Sequence, residues 1–220
     1  MRAYKFYSKR WGLEALYRRR LKITAEPELN DPFEFGAASS GRLRDRRAFR
    51  KWKKDMFSEH GLICFSKGWN NPVIWSHYAE SHKGLALGFD IQDDIAIEVK
   101  YSKDRLKVPK NPSNVKKPSV GPSLNQRMVK TKFHHWEYED EVRVIQPLSE
   151  EQFENGHYFE PFEKQFSLKE VIFGAYYKSG NNQNLHKELL SEGINFITAR
   201  LGILSFSVVP QKDARRLKHL

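Results

Sequence analysis

The chain has 220 residues, 38 Lys+Arg against 27 Asp+Glu for a formal net charge of +11, 39% hydrophobic and 13% aromatic residues, and one cysteine. This length buries enough surface for a core of its own, and so many aromatics exclude a disordered, solvating chain. One cysteine excludes an intrachain disulfide, and with no apolar run of about 18 residues and no charged-then-apolar leader the sequence reads as a soluble, cytoplasmic protein without a membrane span.

In chain order, residues 4–8 alternate as a first strand. Leu13, Leu16 and Tyr17 then fall on one face of a helix ending in Arg18, Arg19 and Arg20, where three cations suit the helix dipole. Residues 21–23 restart as a strand, and Asn30, Asp31 and Pro32 mark a turn. Residues 44–58 place Phe49, Trp52 and Met56 on one side of a basic amphipathic helix, with Gly61 as its stop. The apolar run 62–65 is a strand, Pro72 opens a helix over 72–81, and 84–90 and 95–101 are further strands. Residues 102–123 hold Pro109, Pro112, Pro118 and Pro122 among lysines and read as an irregular, mobile basic loop. A helix over 124–135, strands over 141–146 and 168–173, a helix over 182–191 and closing strands over 195–198 and 203–209 complete the chain. Strands outnumber helices without sustained βαβ alternation. The expectation is a single α+β domain over 1–220, with a curved, mostly antiparallel sheet flanked by helices.

Positive charge is concentrated in residues 1–60, with 16 Lys/Arg against 8 Asp/Glu, and in 100–135, with 10 against 1. Such blocks favour a polyanionic partner such as nucleic acid, although solubility alone also explains a basic domain. The densest acidic feature is Glu137, Glu139, Asp140 and Glu141 at the start of an apolar strand that continues through Arg143. It reads as a metal site, a general acid/base pair, or a solvated edge balanced by Arg143, and composition favours the solvated edge. A second feature runs from Cys64 through Ser66 to Trp75, His77 and Tyr78, where a helix start and aromatic rings offer anion binding, stacking and proton handling, or ordinary packing. Cys64 itself reads as core. The histidines lack a compact ligand spacing and no second cysteine exists, so no metal site is expected.

The succession Tyr4-Lys5-Phe6-Tyr7, Asn30-Asp31-Pro32-Phe33-Glu34, Leu62 to Ser66, Trp75-Ser76-His77-Tyr78-Ala79, His82-Lys83-Gly84, Trp136 to Arg143 and Val171-Ile172-Phe173-Gly174 resembles a prokaryotic domain-of-unknown-function family associated with abortive infection and phage defence. More distantly, the order of strands, the aromatic helix and the late Glu-x-Glu strand is similar to the ADP-ribosyltransferase superfamily. That resemblance implies a split antiparallel sheet clamping NAD as substrate. It makes Glu141 the carboxylate on the ribose, Glu139 the member that orients or deprotonates the acceptor, and Tyr78 a third catalytic residue. Tyr4, Lys5 and Tyr7 stand where the superfamily's first-strand Arg or His belongs, and Ser66 closes the middle strand. Asn30, Asp31, Phe33, Trp75, His77 and Arg143 complete the implied NAD-binding set. The implied function is a toxin of a phage-defence or toxin–antitoxin system that modifies nucleic acid, RNA before DNA, under the control of an antitoxin or chaperone. The alternative is a non-catalytic nucleic-acid-binding or partner-sensing module; a metal-dependent nuclease built on the acidic cluster is weaker.

Overall fold

In the computed structural model, which describes residues 1–25, 28–107 and 124–220, the aromatic alternation at the start of the chain is β1 (Arg2–Tyr7). It is followed by α1 (Lys9–Arg18), β2 (Arg20–Ile23), β3 (Ala38–Ser39), α2 (Leu43–Glu59), β4 (His60–Ser66), α3 (Pro72–Tyr78) and β5 (Leu85–Ile91). Then come β6 (Ile97–Glu98), β7 (Lys100–Ser102), β8 (Leu106–Lys107), α4 (Leu124–Lys130), β9 (Thr131–Phe133), a 3-10 turn over His134–Glu139 and β10 (Glu141–Pro147). The last part holds β11 (Phe153–Glu154), β12 (His157–Pro161), α5 (Phe162–Gln165), β13 (Phe166–Phe173), α6 (Gln183–Ser191), β14 (Asn195–Leu201) and β15 (Val208–Pro210).

Eight strands form one sheet in the order β15-β14-β13-β5-β1-β4-β10-β6. Its pairs are antiparallel except β13 with β14, which α6 joins as a parallel crossover. The architecture is thus α+β with a mostly antiparallel sheet. On one face Leu16, Leu21, Leu87, Phe89, Phe166 and Leu189 form the largest apolar cluster; α2 and α4 cover a second around Trp52, Met56 and Met128, and α3 a third around Trp75 and Ile172. Among the described residues, no helix is long and apolar enough to cross a membrane.

Several elements differ from the sequence expectation for identifiable reasons. Arg18, Arg19 and Arg20 do not share a helical turn: Arg19 adopts a left-handed φ of 51° and Arg20 opens β2. Gly61 is not a helix stop but lies within β4, where a Cβ would sit 2.5 Å from Ile23 Cγ2, so it permits β2 to approach. The helix expected over 124–135 ends at Lys130, because Thr131–Phe133 pairs in parallel with Lys100–Ser102. The strand expected over 95–101 breaks at Val99 into β6 and β7, which pair with β10 and β9 respectively. Of the closing strand expected over 203–209 only Val208 and Val209 pair, while Ile203, Leu204 and Phe206 stand almost wholly in solvent. The basic loop expected over 102–123 lies outside the described residues beyond Lys107, and within it Leu106–Lys107 pairs with β3.

The helix expected over 72–81 stops at Tyr78, and Glu80, Ser81 and His82 take φ of 51°, 52° and 69° in succession. A run of left-handed L-residues costs roughly 1–2 kcal/mol each. Neighbouring backbone holds it: His82 N–H donates to Trp75 O at 3.3 Å, Gly84 N–H to Ala79 O at 2.9 Å and Tyr176 N–H to His82 O at 2.9 Å. Gly174 lies against this turn, where a Cβ would meet His82 O at 2.2 Å.

Candidate active site

The two seams flanking β1 are unequal. Against β5 it pairs in continuous register from Arg2↔Asp90 to Tyr7↔Leu85, whereas against β4 it pairs only at Tyr4↔Ser66. Farther along β4 the place that β1 leaves is taken by Thr24, whose N–H donates to Leu62 O at 2.7 Å and whose carbonyl accepts from Leu62 N–H at 3.0 Å. Between those two points the sheet opens. A cavity of about 240 Å³ fills the opening, walled by Tyr4, Lys5 and Phe6 on one side and Cys64, Phe65 and Ser66 on the other. Lys5 Nζ spans the gap to donate to Cys64 O at 3.2 Å, and burial there lowers the lysine below its ordinary pKa.

Charged groups form the cavity floor. Because Tyr4 pairs Ser66 and Ser66 pairs Glu141, β10 begins directly across β4 from the opening. Asp140, at φ 40°, turns the chain out of the 3-10 segment, so Glu139 and Glu141 lead into one cluster while Glu137 and Asp140 face solvent. Glu139 is 6% and Glu141 2% exposed, which rules out the solvated edge for both. Arg143, fully buried, donates Nε to Glu141 Oε1 and Nη2 to Glu141 Oε2, both at 2.9 Å, and Nη1 to Glu34 Oε1 at 2.7 Å. Lys132 on β9 donates to Glu139 Oε2 at 2.5 Å and Glu141 Oε2 at 3.0 Å and lies 3.6 Å from Glu34 Oε2. Three carboxylates thus share two cations.

The two acids of β10's entrance are not equivalent. A carboxylate offers about four lone-pair sites. Arg143 and Lys132 occupy both oxygens of Glu141, and although burial opposes its charge, those cations hold its carboxyl down at about 2. Glu139 receives one bond from Lys132 and one from Tyr78 Oη, at 2.5 Å. Burial dominates for Glu139 and raises it above the usual carboxylate range despite Lys132. Tyr78 in turn accepts from Asn30 Nδ2 at 2.5 Å, and burial beside Glu139 pushes its phenol far up, so it remains a hydrogen-bond donor. Of these two acids Glu139 therefore keeps more unused lone pairs at the cavity, and Glu141 is the more fully anchored ion.

The residues singled out in the sequence divide into three groups. Tyr4, Lys5, Asn30, Ser66, Tyr78, Glu139 and Glu141 line one cavity. Ser66 Oγ donates to Gly68 O at 2.9 Å and serves the turn after β4, and burial beside Glu170 pushes Tyr4 up to about 12. Asp31 and Arg143 stand behind the cavity: Asp31 Oδ1 accepts Phe33 N–H at 2.8 Å in the turn that presents Glu34, and Arg143 holds the carboxylates. The remaining four are not brought in. Trp75 is buried against Phe6 and donates Nε1 to Trp69 O, Phe33 is 58% exposed under Arg105, and Tyr7 and His77 line a neighbouring cavity.

Lys132 and Glu34 were not among the expected site residues. Glu34 ends the Asn30–Glu34 motif and was legible there. Lys132 was hidden among other basic residues in a segment read as helix; the β-branched and aromatic neighbours Thr131 and Phe133 are its only strand signal. No protein-family model, no curated protein and no solved structure matches the chain.

Proposed function

We propose that this protein is an NAD-dependent ADP-ribosyltransferase that modifies nucleic acid, and that Glu139 rather than Glu141 is the carboxylate that faces the reacting ribose. The observation that carries the reading is the cavity in the sheet opening, floored by a buried carboxylate that has lone pairs to spare. When the bond between ribose C1′ and the nicotinamide nitrogen breaks, its electron pair leaves with neutral nicotinamide and positive charge develops on the ribose. A preorganised carboxylate in a dry cavity stabilises that charge more than it stabilises the ground state. An acceptor lone pair then bonds to C1′, and its proton passes to Glu139. Tyr78 and Lys132 orient Glu139, Arg143 anchors Glu141 beneath it, and Tyr4, Lys5 and Asn30 are placed to hold the nicotinamide riboside. Action as a toxin of a phage-defence or toxin–antitoxin system, with RNA before DNA as acceptor and an antitoxin or chaperone as partner, follows from the family resemblance and belongs to the same proposal.

The test incubates wild type and Glu139→Gln with labelled NAD and total RNA, DNA or protein, and reads nicotinamide release and label transfer. Release by wild type, lowered about 100- to 1,000-fold in a variant whose melting temperature falls by no more than about 2–4 °C, is the expected result. Equal absence of release from both proteins, with no NAD binding by calorimetry, overturns the reading. One observation favours a second reading, a non-catalytic nucleic-acid-binding module. On α2, Arg44, Arg46, Arg47, Arg50 and Lys54 are exposed and have no carboxylate partner among the described residues. Such a row of free cations suits phosphates whether or not chemistry follows.

A further inference from the structure

Lys5 is the cation that the ionic cluster of the opening leaves out. Lys132 and Arg143 share the carboxylates of Glu34, Glu139 and Glu141, whereas Lys5, among the described residues, has no carboxylate within ion-pair distance. An ammonium group brings three donors and no acceptor. Here Nζ finds one acceptor, Cys64 O at 3.2 Å, and otherwise stands by the rings of Tyr7 and Phe65, each 5.8 Å away and near the limit at which a ring holds a cation. A desolvated ammonium without a counter-ion or a full set of acceptors is costly, and a neutral amine, with one proton bonded and its lone pair free, fits this place better. Burial works in the same direction, aided by Lys22, and outweighs the opposing fields of Cys64 and Glu141.

The side chain is not sealed in. It is partly accessible and lines both the cavity in the sheet opening and a second, of about 610 Å³, that adjoins it between β1, α1, β2 and β12. In the first cavity Glu139 sits above the usual carboxylate range and Tyr78 keeps its proton, so proton donors share one space with the amine.

We propose that Lys5 is a nucleophile that forms an imine with the carbon of an aldehyde, either a small aldehyde or the open-chain form of a sugar. Its Nζ lone pair bonds to the carbonyl carbon as the C=O π pair moves to the oxygen. That oxygen takes one proton from Glu139 and leaves as water with a second, while the two amine protons return to the carboxylate. The sum is amine plus aldehyde giving imine plus water. Desolvation in an apolar pocket is what makes a lysine nucleophilic in such chemistry. A ribose set free at C1′ in the first cavity is such an aldehyde once its ring opens, and the adjoining cavity leaves room for the rest of an ADP-ribose. That source alone rests on the transferase reading.

The experiment treats the full chain at pH 7 with glyceraldehyde in one arm and ADP-ribose in the other, each with borohydride, whose hydride reduces an imine to a stable secondary amine, and locates the adduct by peptide mass spectrometry. In wild type Lys5 should be labelled at least ~10-fold faster than the exposed Lys54 and Lys169. Glu139→Gln should slow labelling of Lys5 at least ~10-fold and leave the exposed lysines unchanged. Lys5→Arg, which keeps a donor to Cys64 O but forms no imine, should lose the fast label alone. Labelling of Lys5 no faster than that of the exposed lysines in both arms overturns the proposal, and a fast label from glyceraldehyde but not from ADP-ribose assigns the site to small aldehydes. Fast labelling in a wild type that releases no nicotinamide from NAD upholds the imine and removes the transferase reading alone, whereas release without fast labelling removes the imine alone.

Discussion

The two seams beside β1 hold the same strand by different means. Against β5, six consecutive pairs carry Leu85, Ala86, Leu87 and Phe89 into cores that exclude water, and the one ion pair between paired residues, Arg2 with Asp90 at 2.6 Å, sits at the exposed end of the seam. Against β4, one pair remains, and the ground beneath the opening is held by Glu34, Lys132, Glu139, Glu141 and Arg143. Apolar burial is indifferent to pH and yields gradually to a change of shape. A buried ionic cluster depends on every member keeping its charge. The chemistry proposed for this protein sits on the seam whose stability is tied to protonation, so losses of activity and losses of fold are easily confused there.

Glu141→Gln breaks the contrast most severely. It leaves Arg143 and Lys132 short of negative charge in the interior and should cost about 3–5 kcal/mol of unfolding free energy, read by urea denaturation. A silent Glu141→Gln protein is for that reason no proof of catalysis. Leu87→Ala, on the apolar seam, should cost about 2–5 kcal/mol and lower stability equally at pH 7 and pH 4. The acid dependence of wild type separates the seams further. The Glu141 carboxyl is held at about 2 against an ordinary 4.5, so its contribution is complete above about pH 4.5 and is lost as the pH falls toward 2. At 1.36 kcal/mol per pH interval this amounts to about 3 kcal/mol. Urea midpoints measured from pH 5.5 to 2.5 should show that limb in wild type and in Leu87→Ala alike; its absence from wild type would mean that the cluster is not ionic. The smallest effect on stability, about 1 kcal/mol, is expected for Glu139→Gln, which keeps the bond from Tyr78 and leaves Lys132 two other carboxylates. Because Glu139 titrates above the usual carboxylate range, nicotinamide release by wild type should fall as the pH drops through that higher value, before the acid limb of unfolding is reached.

Periodicity and turn chemistry made much of this architecture legible. The aromatic alternation of β1, the amphipathic α2, Pro72 at the start of α3 and the apolar runs of β4, β5 and β13 fall close to where the sequence places them. What escaped depends on partners distant in sequence. Thr131–Phe133 became a strand because Lys100–Ser102 lies beside it, and β12 was not anticipated because its pairing with β2 joins residues more than a hundred apart. In the candidate site, the spacing of Glu139 and Glu141 placed both acids at one location, but the difference in their surroundings was not readable. That difference comes from Arg143 reaching back two residues to Glu141 and from Tyr78 reaching Glu139 from another element. Neither choice is visible in a list of charges.

Main-chain groups, not side chains, keep the sheet open. Thr24 occupies on β4 the hydrogen-bonding position that β1 has left, so that edge remains bonded while the strands diverge. The contents of the opening are in consequence separable from its existence. The pairing that keeps the sheet open makes no use of the side chains of Phe6, Asn30 and Cys64, which line the opening outside the ionic cluster. A lineage built on this scaffold can therefore exchange one ligand for another by side-chain replacement alone, keeping the wedge at Thr24 as its fixed inheritance.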